Sequence, residues 1–217
     1  MIRKIFVCAL MLAAVVLSGC GGGKVVGTPD KAVLAYCEII TMGESPNLAA
    51  AGFSEEDNKN LRKKIVNVFA ESFAGVVPLS DESAEELAKI FYDNSKAKMT
   101  FQAKIKTDDA EHPVVELTTT PFNLGKAAGT PNDNLIALMG MVGKLKSDGA
   151  TDEQLKANAE VQKLAVTAFG KYFGEISVRE ERTLEVPCDK VTGTDGQTHW
   201  APADVNALTD FILGEKI

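Results

Sequence analysis

Met99-Thr100-Phe101-Gln102-Ala103-Lys104-Ile105-Lys106 places an apolar side chain at every second position, and Val115-Glu116-Leu117-Thr118-Thr119 repeats the alternation beyond a polar break at Asp108-Asp109. Period two buries one face of each segment and wets the other, so the two read as a β-hairpin. A hairpin with one apolar face is not stable alone and must be covered by other elements.

The residues on either side supply the cover. Upstream, the apolar period is helical. Thr28 caps and Pro29 opens a first helix, with Val33, Cys37 and Ile40 three and four apart. Ser54 and Asp57 form a variant capping box ahead of Leu61, Ile65, Val68, Phe69 and Phe73. Ser80 precedes a third helix anchored by Leu87, Ile90 and Phe91.

Downstream, Thr130-Pro131 leads into a helix carrying Leu135, Leu138, Met139, Val142 and Leu145. Thr151-Asp152-Glu153-Gln154 is a complete capping box for the next, with Leu155, Leu164, Phe169 and Phe173. Ile176, Val178, Leu184, Val186 and Cys188 share the parity of one long strand; Glu180 and Arg182 share it too, so the strand twists off the core or carries a bulge there. A polar loop from Asp189 to Thr198 precedes His199-Trp200, and a last helix starts near Pro202 and closes at Gly214. The expected fold is α+β, with helices packed on a small antiparallel sheet of three or four strands. Residues 28-217 form a single domain on this reading.

The amino terminus is of another kind. Arg3 and Lys4 precede an apolar run from Ile5 to Leu17, and Leu17-Ser18-Gly19-Cys20 ends it with small residues before a cysteine. The run is about 13 residues long, short of the roughly 17 to 25 of a membrane-spanning helix, and its ending is that of a lipoprotein signal. Residues 1-19 then form the signal peptide, Cys20 carries the lipid, and residues 20-27, with Gly21, Gly22 and Gly23, form a flexible tether. The mature chain is expected on the extracytoplasmic side of the cell membrane, its lipid anchor its contact with the bilayer.

The chain holds 23 basic and 30 acidic residues, and loss of Arg3 and Lys4 with the leader leaves 21 against 30, a net charge of -9. Such a domain repels phosphate backbones, which argues against nucleic acid as a partner. No cofactor is implied. His112 and His199, 87 positions apart and without neighbouring cysteines, do not make a zinc pattern, so no metal is expected. Cys37 lies on an apolar helix face with no histidine nearby in sequence, and no catalytic residue is assigned. The loop 189-197 lacks the alternating oxygen ligands of a calcium site. Glu55-Glu56, Glu85-Glu86 and Glu180-Glu181 read as solvated faces.

Two features keep a function in view. Trp200 beside His199 reads either as a residue docking the last helix on the sheet or as a contact for a ligand or partner. Cys37 and Cys188 are the thiols left to the mature chain, both on apolar faces, and export makes a disulfide between them an expectation.

The lipobox, Thr28-Pro29-Asp30-Lys31-Ala32-Val33-Leu34-Ala35-Tyr36, Pro113-Val114-Val115-Glu116-Leu117-Thr118, Leu184-Glu185-Val186-Pro187-Cys188 and Gly196-Gln197-Thr198-His199-Trp200-Ala201-Pro202-Ala203-Asp204 together resemble a family of uncharacterised lipoproteins of Gram-positive bacteria (Firmicutes), a domain of unknown function. The resemblance implies a cystatin-like or nuclear-transport-factor-like (NTF2-like) fold and carries over no catalytic residue. The expected function is a non-catalytic binding module for an envelope protein, peptide or glycan; the alternative is a small-molecule receptor or an enzyme of unrecognised design.

Overall fold

The structure is a computed structural model that describes residues 25–123, 133–192 and 196–214. The leader, Cys20, Thr130-Pro131 and the side chains of Val68 and Phe69 lie outside what it describes. The architecture is α+β: helices cover a curled, mostly antiparallel sheet of five strands in the order β1-β5-β4-β3-β2. The strands are β1 (Val25–Val26), β2 (Phe101–Thr107), β3 (Val114–Thr119), β4 (Arg182–Thr192) and β5 (Thr198–Pro202).

The hairpin forms as read, with Ala103 opposite Leu117 and Ile105 opposite Val115. Val115 and Leu117 are fully buried, while β2 is the wetter edge strand. Strand β4 lies beside β3 in register, Val186 opposite Val115 and Leu184 opposite Leu117, so one apolar row crosses both strands.

The sheet departs from expectation at its other edge. Asp189 to Thr192, read as loop, continues β4 and pairs with β5, placing Lys190 opposite Trp200 and Val191 opposite His199. Polar composition hid this extension, because a strand ladder satisfies its backbone whatever its outward side chains are. Val25 and Val26, within the segment read as a tether, pair in parallel with Thr198 and His199. At the strand's entry, Val178 makes a single bridge to Phe122, and the ladder begins only at Arg182. The stretch around Glu180 is outside the ladder, which accounts for its parity conflict.

Seven helices are described: α1 (Pro29–Met42), α2 (Glu55–Phe73), α3 (Asp81–Lys98), α4 (Asp133–Ser147), α5 (Asp152–Lys156), α6 (Ala159–Glu175) and α7 (Val205–Ile212). Helix α1 is the central one, lying against β2, β3 and β5 with α3 over it. Ala32, Val33, Ala35, Tyr36, Cys37, Ile39 and Ile40 are all buried, as befits a helix enclosed nearly all round. Helix α3 also packs on α2 and α6, and α4 packs on α6. Phe73, Phe91, Phe122, Phe169 and Phe173 join these layers, the Phe73 and Phe169 rings 4.2 Å apart and the Phe91 and Phe122 rings 5.4 Å apart.

The caps follow their sequence signals with two breaks, the first being Thr28, which holds the N-cap position of α1 without a side-chain cap bond. Ser54 and Asp57 make a full capping box, and Thr151 and Gln154 another. The helix that Thr151 opens ends after one turn, however, because the Asn158 side chain accepts from the backbone N–H groups of Glu160 and Val161 and starts α6 afresh. Gln162 fixes the junction: its amide donates to the carbonyls of Pro78 and Leu155 and accepts from the Ser80 N–H. Helix α4 turns Leu138 and Val142 inward, but Met139, expected to pack, is 58 % exposed, since it lies about 100° round the helix from Leu138.

The expected disulfide is absent: Cys37 and Cys188 are both free, buried thiols. Tyr36, not Cys37, is the α1 side chain in electrostatic contact with Cys188. Cys37 is turned about 100° from it around the helix, so the two sulfurs do not face one another.

Candidate functional site

His199 and Trp200 are structural neighbours in β5, and both are enclosed, at 2 % and 8 % exposure. The His199 ring lies under Gly52, the left-handed residue that ends a short 3₁₀ turn (Leu48–Ala51) following α1. Trp200 faces its cross-strand partner Lys190, whose ammonium sits 5.7 Å from the ring centroid and pairs with Glu111 at 2.7 Å. Trp200 is thus enclosed with Lys190 over its ring. His112 stands apart at the hairpin turn, exposed and 3.3 Å from Asp189. Among the described residues no group of three or more His, Cys, Asp or Glu is placed to hold a metal ion.

A groove opens elsewhere, between α2 and α3, with a volume of about 730 Å³. Lys59, Arg62 and Lys63 line one wall, at positions i, i+3 and i+4 of α2 and therefore on one face. Asp81, Glu82, Glu85 and Glu86 line the other, in the first turn and a half of α3. Val66, Ala88 and Tyr92 form an apolar floor. Among the described residues no ion pair joins the two walls. Lys89 pairs along its own helix with Asp93, at 2.6 Å.

Tyr92 is the unusual member. It is 2 % exposed, and its hydroxyl has no hydrogen-bond partner in the structure. One edge of the ring rests on Gly43, where a Cβ would stand 2.8 Å from Cε2; Gly43 takes φ +73, a conformation glycine adopts without penalty. The Arg62 guanidinium lies over the ring, 5.7 Å from its centroid. Burial pushes the Tyr92 phenol up to about 12, against a smaller opposing pull from Arg62. Lys96, bonded to Glu44 at 2.8 Å, holds that carboxyl below its ordinary range, with Arg62 adding to the effect.

No family model matches the chain, and no curated protein matches it. Among solved structures it is similar to the Bacillus subtilis subsp. subtilis str. 168 protein ycdA, whose name marks it as a candidate lipoprotein. Identity is 16 %, the TM-score is 0.52, and the likeness covers 83 % of this chain and 54 % of that one. The chain therefore spans about half the length of that protein, and the likeness is one of fold.

Sequence reasoning missed the groove. It took Glu85-Glu86 for a solvated face and passed over Lys59, Arg62 and Lys63. The available signal was a basic i, i+3, i+4 triplet on one helix and an acidic start on the next. Nothing in the sequence said that these two faces would meet.

Proposed function

We propose that this chain is a non-catalytic binding module of the cell envelope, anchored by a lipid on Cys20 at the extracytoplasmic side of the membrane, and that the groove between α2 and α3 receives its ligand. The groove carries the reading: a concave site with an apolar floor and two charged walls is the form in which a domain presents specificity without chemistry. The lipobox ending in Cys20 supports the anchor, as does the fold shared with a protein named as a candidate lipoprotein. No helix among the described residues is long and apolar enough to cross a membrane.

The two halves have separate tests. Cys20→Ala should leave unprocessed precursor and abolish acyl labelling; mass spectrometry of a mature chain starting elsewhere would refute the anchor. For the groove, a photo-crosslinking residue at position 63 or 85 should give a discrete adduct in cells, identified by mass spectrometry. The same residue at position 31 or 163, on exposed faces away from the groove, should not. Equal adduct at all four positions would remove the groove from the function.

A further inference from the structure

We infer, resting on the lipid anchor at Cys20, that the domain lies on the bilayer by one face: the 3₁₀ turn Leu48–Ala51, with Pro46 before it and Phe53 after it, seated on the lipid headgroup layer. The first observation is the reach of the tether. Residues 20–27 read as a flexible linker from sequence, but Val25 and Val26 are held in the sheet as β1, paired with Thr198 and His199. Five Cα steps separate Cys20 from Val25, and at full extension they span about 17–18 Å. A lipid on Cys20 therefore keeps the β1 edge of the sheet close to the membrane. Strand β2 is the opposite edge, four strand spacings away, or about 19 Å along the sheet.

The second observation is what stands beside β1. Gly27 follows the strand so near the turn that a Cβ there would stand 2.7 Å from the Ala50 Cα. The turn is thus fixed at the anchored edge. The third is charge. From Ser45 to Ser54 no residue is charged; Pro46 and Ala49 are exposed, and Leu48, Ala50 and Phe53 are half-buried. Glu44, the acid just before this stretch, is paired with Lys96 at 2.8 Å. Lys24, the one charge between Cys20 and Asp30, is attracted to anionic headgroups. The mature chain as a whole is acidic, so its charged faces are repelled by an anionic bilayer once they come within a screening length, about 8 Å at physiological salt. The tether brings the domain near, and charge decides which side turns down: a neutral turn of small apolar side chains meets the headgroups without repulsion and gives up apolar surface to them.

Fluorescence quenching on the lipidated mature protein tests this. The variants Ala49→Cys, Gln102→Cys on β2 and Lys163→Cys on α6 each place one thiol at an exposed position for a fluorophore, while Cys37 and Cys188 are enclosed and stay unlabelled in the folded protein. Each is reconstituted in vesicles of phosphatidylcholine and phosphatidylglycerol whose headgroups carry a nitroxide quencher. The label at position 49 should be quenched several-fold more than those at 102 and 163. Adding the exposed substitution Pro46→Glu should bring quenching at position 49 down towards the other two, because it sets a carboxylate against the anionic surface. Equal quenching at all three positions, or stronger quenching at 102 or 163, overturns the seat; if the protein still floats with the vesicles, the anchor stands without it. Unchanged quenching after Pro46→Glu overturns the electrostatic choice of face. A mature chain whose mass shows no acyl group on Cys20 overturns the anchor and the seat together.

Discussion

Gly52 lies directly on the imidazole of His199: a Cβ at position 52 would stand 2.5 Å from Cδ2 and 2.6 Å from Cγ. The contact locks the 3₁₀ turn after α1 onto β5, the strand that carries β1 on one side and β4 on the other. Gly52 also sits at φ +74, where a side chain is strained in any surroundings. Gly52→Ala should therefore combine a left-handed backbone cost of about 1–2 kcal/mol with overpacking of about 1–3 kcal/mol, and lower stability by about 2–5 kcal/mol. Urea unfolding of the mature protein measures it. A loss below about 0.5 kcal/mol would mean that the turn moves freely off His199.

Trp200→Ala should cost about 3–5 kcal/mol, since the ring is enclosed and its removal leaves a cavity under Lys190. Lys190→Met, which keeps the apolar stem over the ring and drops the charge, should cost much less. If the two variants proved equally damaging, the ion pair with Glu111 and not the indole would be the important element at this edge.

The thiols give a sharp yes-or-no experiment. Cys37 and Cys188 are enclosed, burial raises both above the ordinary thiol range, and Cys188 is pushed up to about 12. The thiolate is the reactive form, so neither should be alkylated in the native protein at neutral pH. Denaturation without any reductant should expose two reactive thiols in the mature chain, in which the proposed lipid occupies Cys20. A gain of two alkyl groups that requires reduction would restore the disulfide.

What was legible in the sequence was what a short window encodes. Ala103, Ile105, Val115 and Leu117 alternate on the strands where the hairpin forms, and Ser54, Ser80 and Thr151 cap helices. What was missed depends on partners remote in the chain. Lys190 looked like loop because its reason to be in a strand is Trp200, ten positions on. Asn158 splits a helix that its own period continues, because Gln162 secures the break through Pro78 and Ser80, about eighty positions away. The groove is the extreme case: each wall is an ordinary solvated helix face, and only the packing of α2 on α3 turns two faces into a site.

The same buried acids make the domain sensitive to alkali, in a way that singles out Tyr92. Tyr36 and Tyr92 are each pushed up to about 12, chiefly by burial, and Cys188 likewise. In the unfolded chain such groups ionise near their free values, about 8.5 for a thiol and about 10 for a phenol. Between those values and about 12 the folded state therefore binds more protons than the unfolded state, and stability falls as pH rises. Urea midpoints should be flat near neutrality and decline from about pH 8.5, more steeply beyond pH 10. Tyr92→Phe removes one of these groups, to which the buried Cys37 also belongs, without breaking a hydrogen bond, because that hydroxyl has no partner in the structure. At pH 7 the variant should be as stable as the parent or more so, since an unsatisfied buried donor costs about 1–3 kcal/mol. Its decline above pH 10 should also be shallower. Lower stability at pH 7 would show that the hydroxyl is already paired in the folded protein, and an unaltered alkaline slope would show that burial does not hold its phenol above the free value.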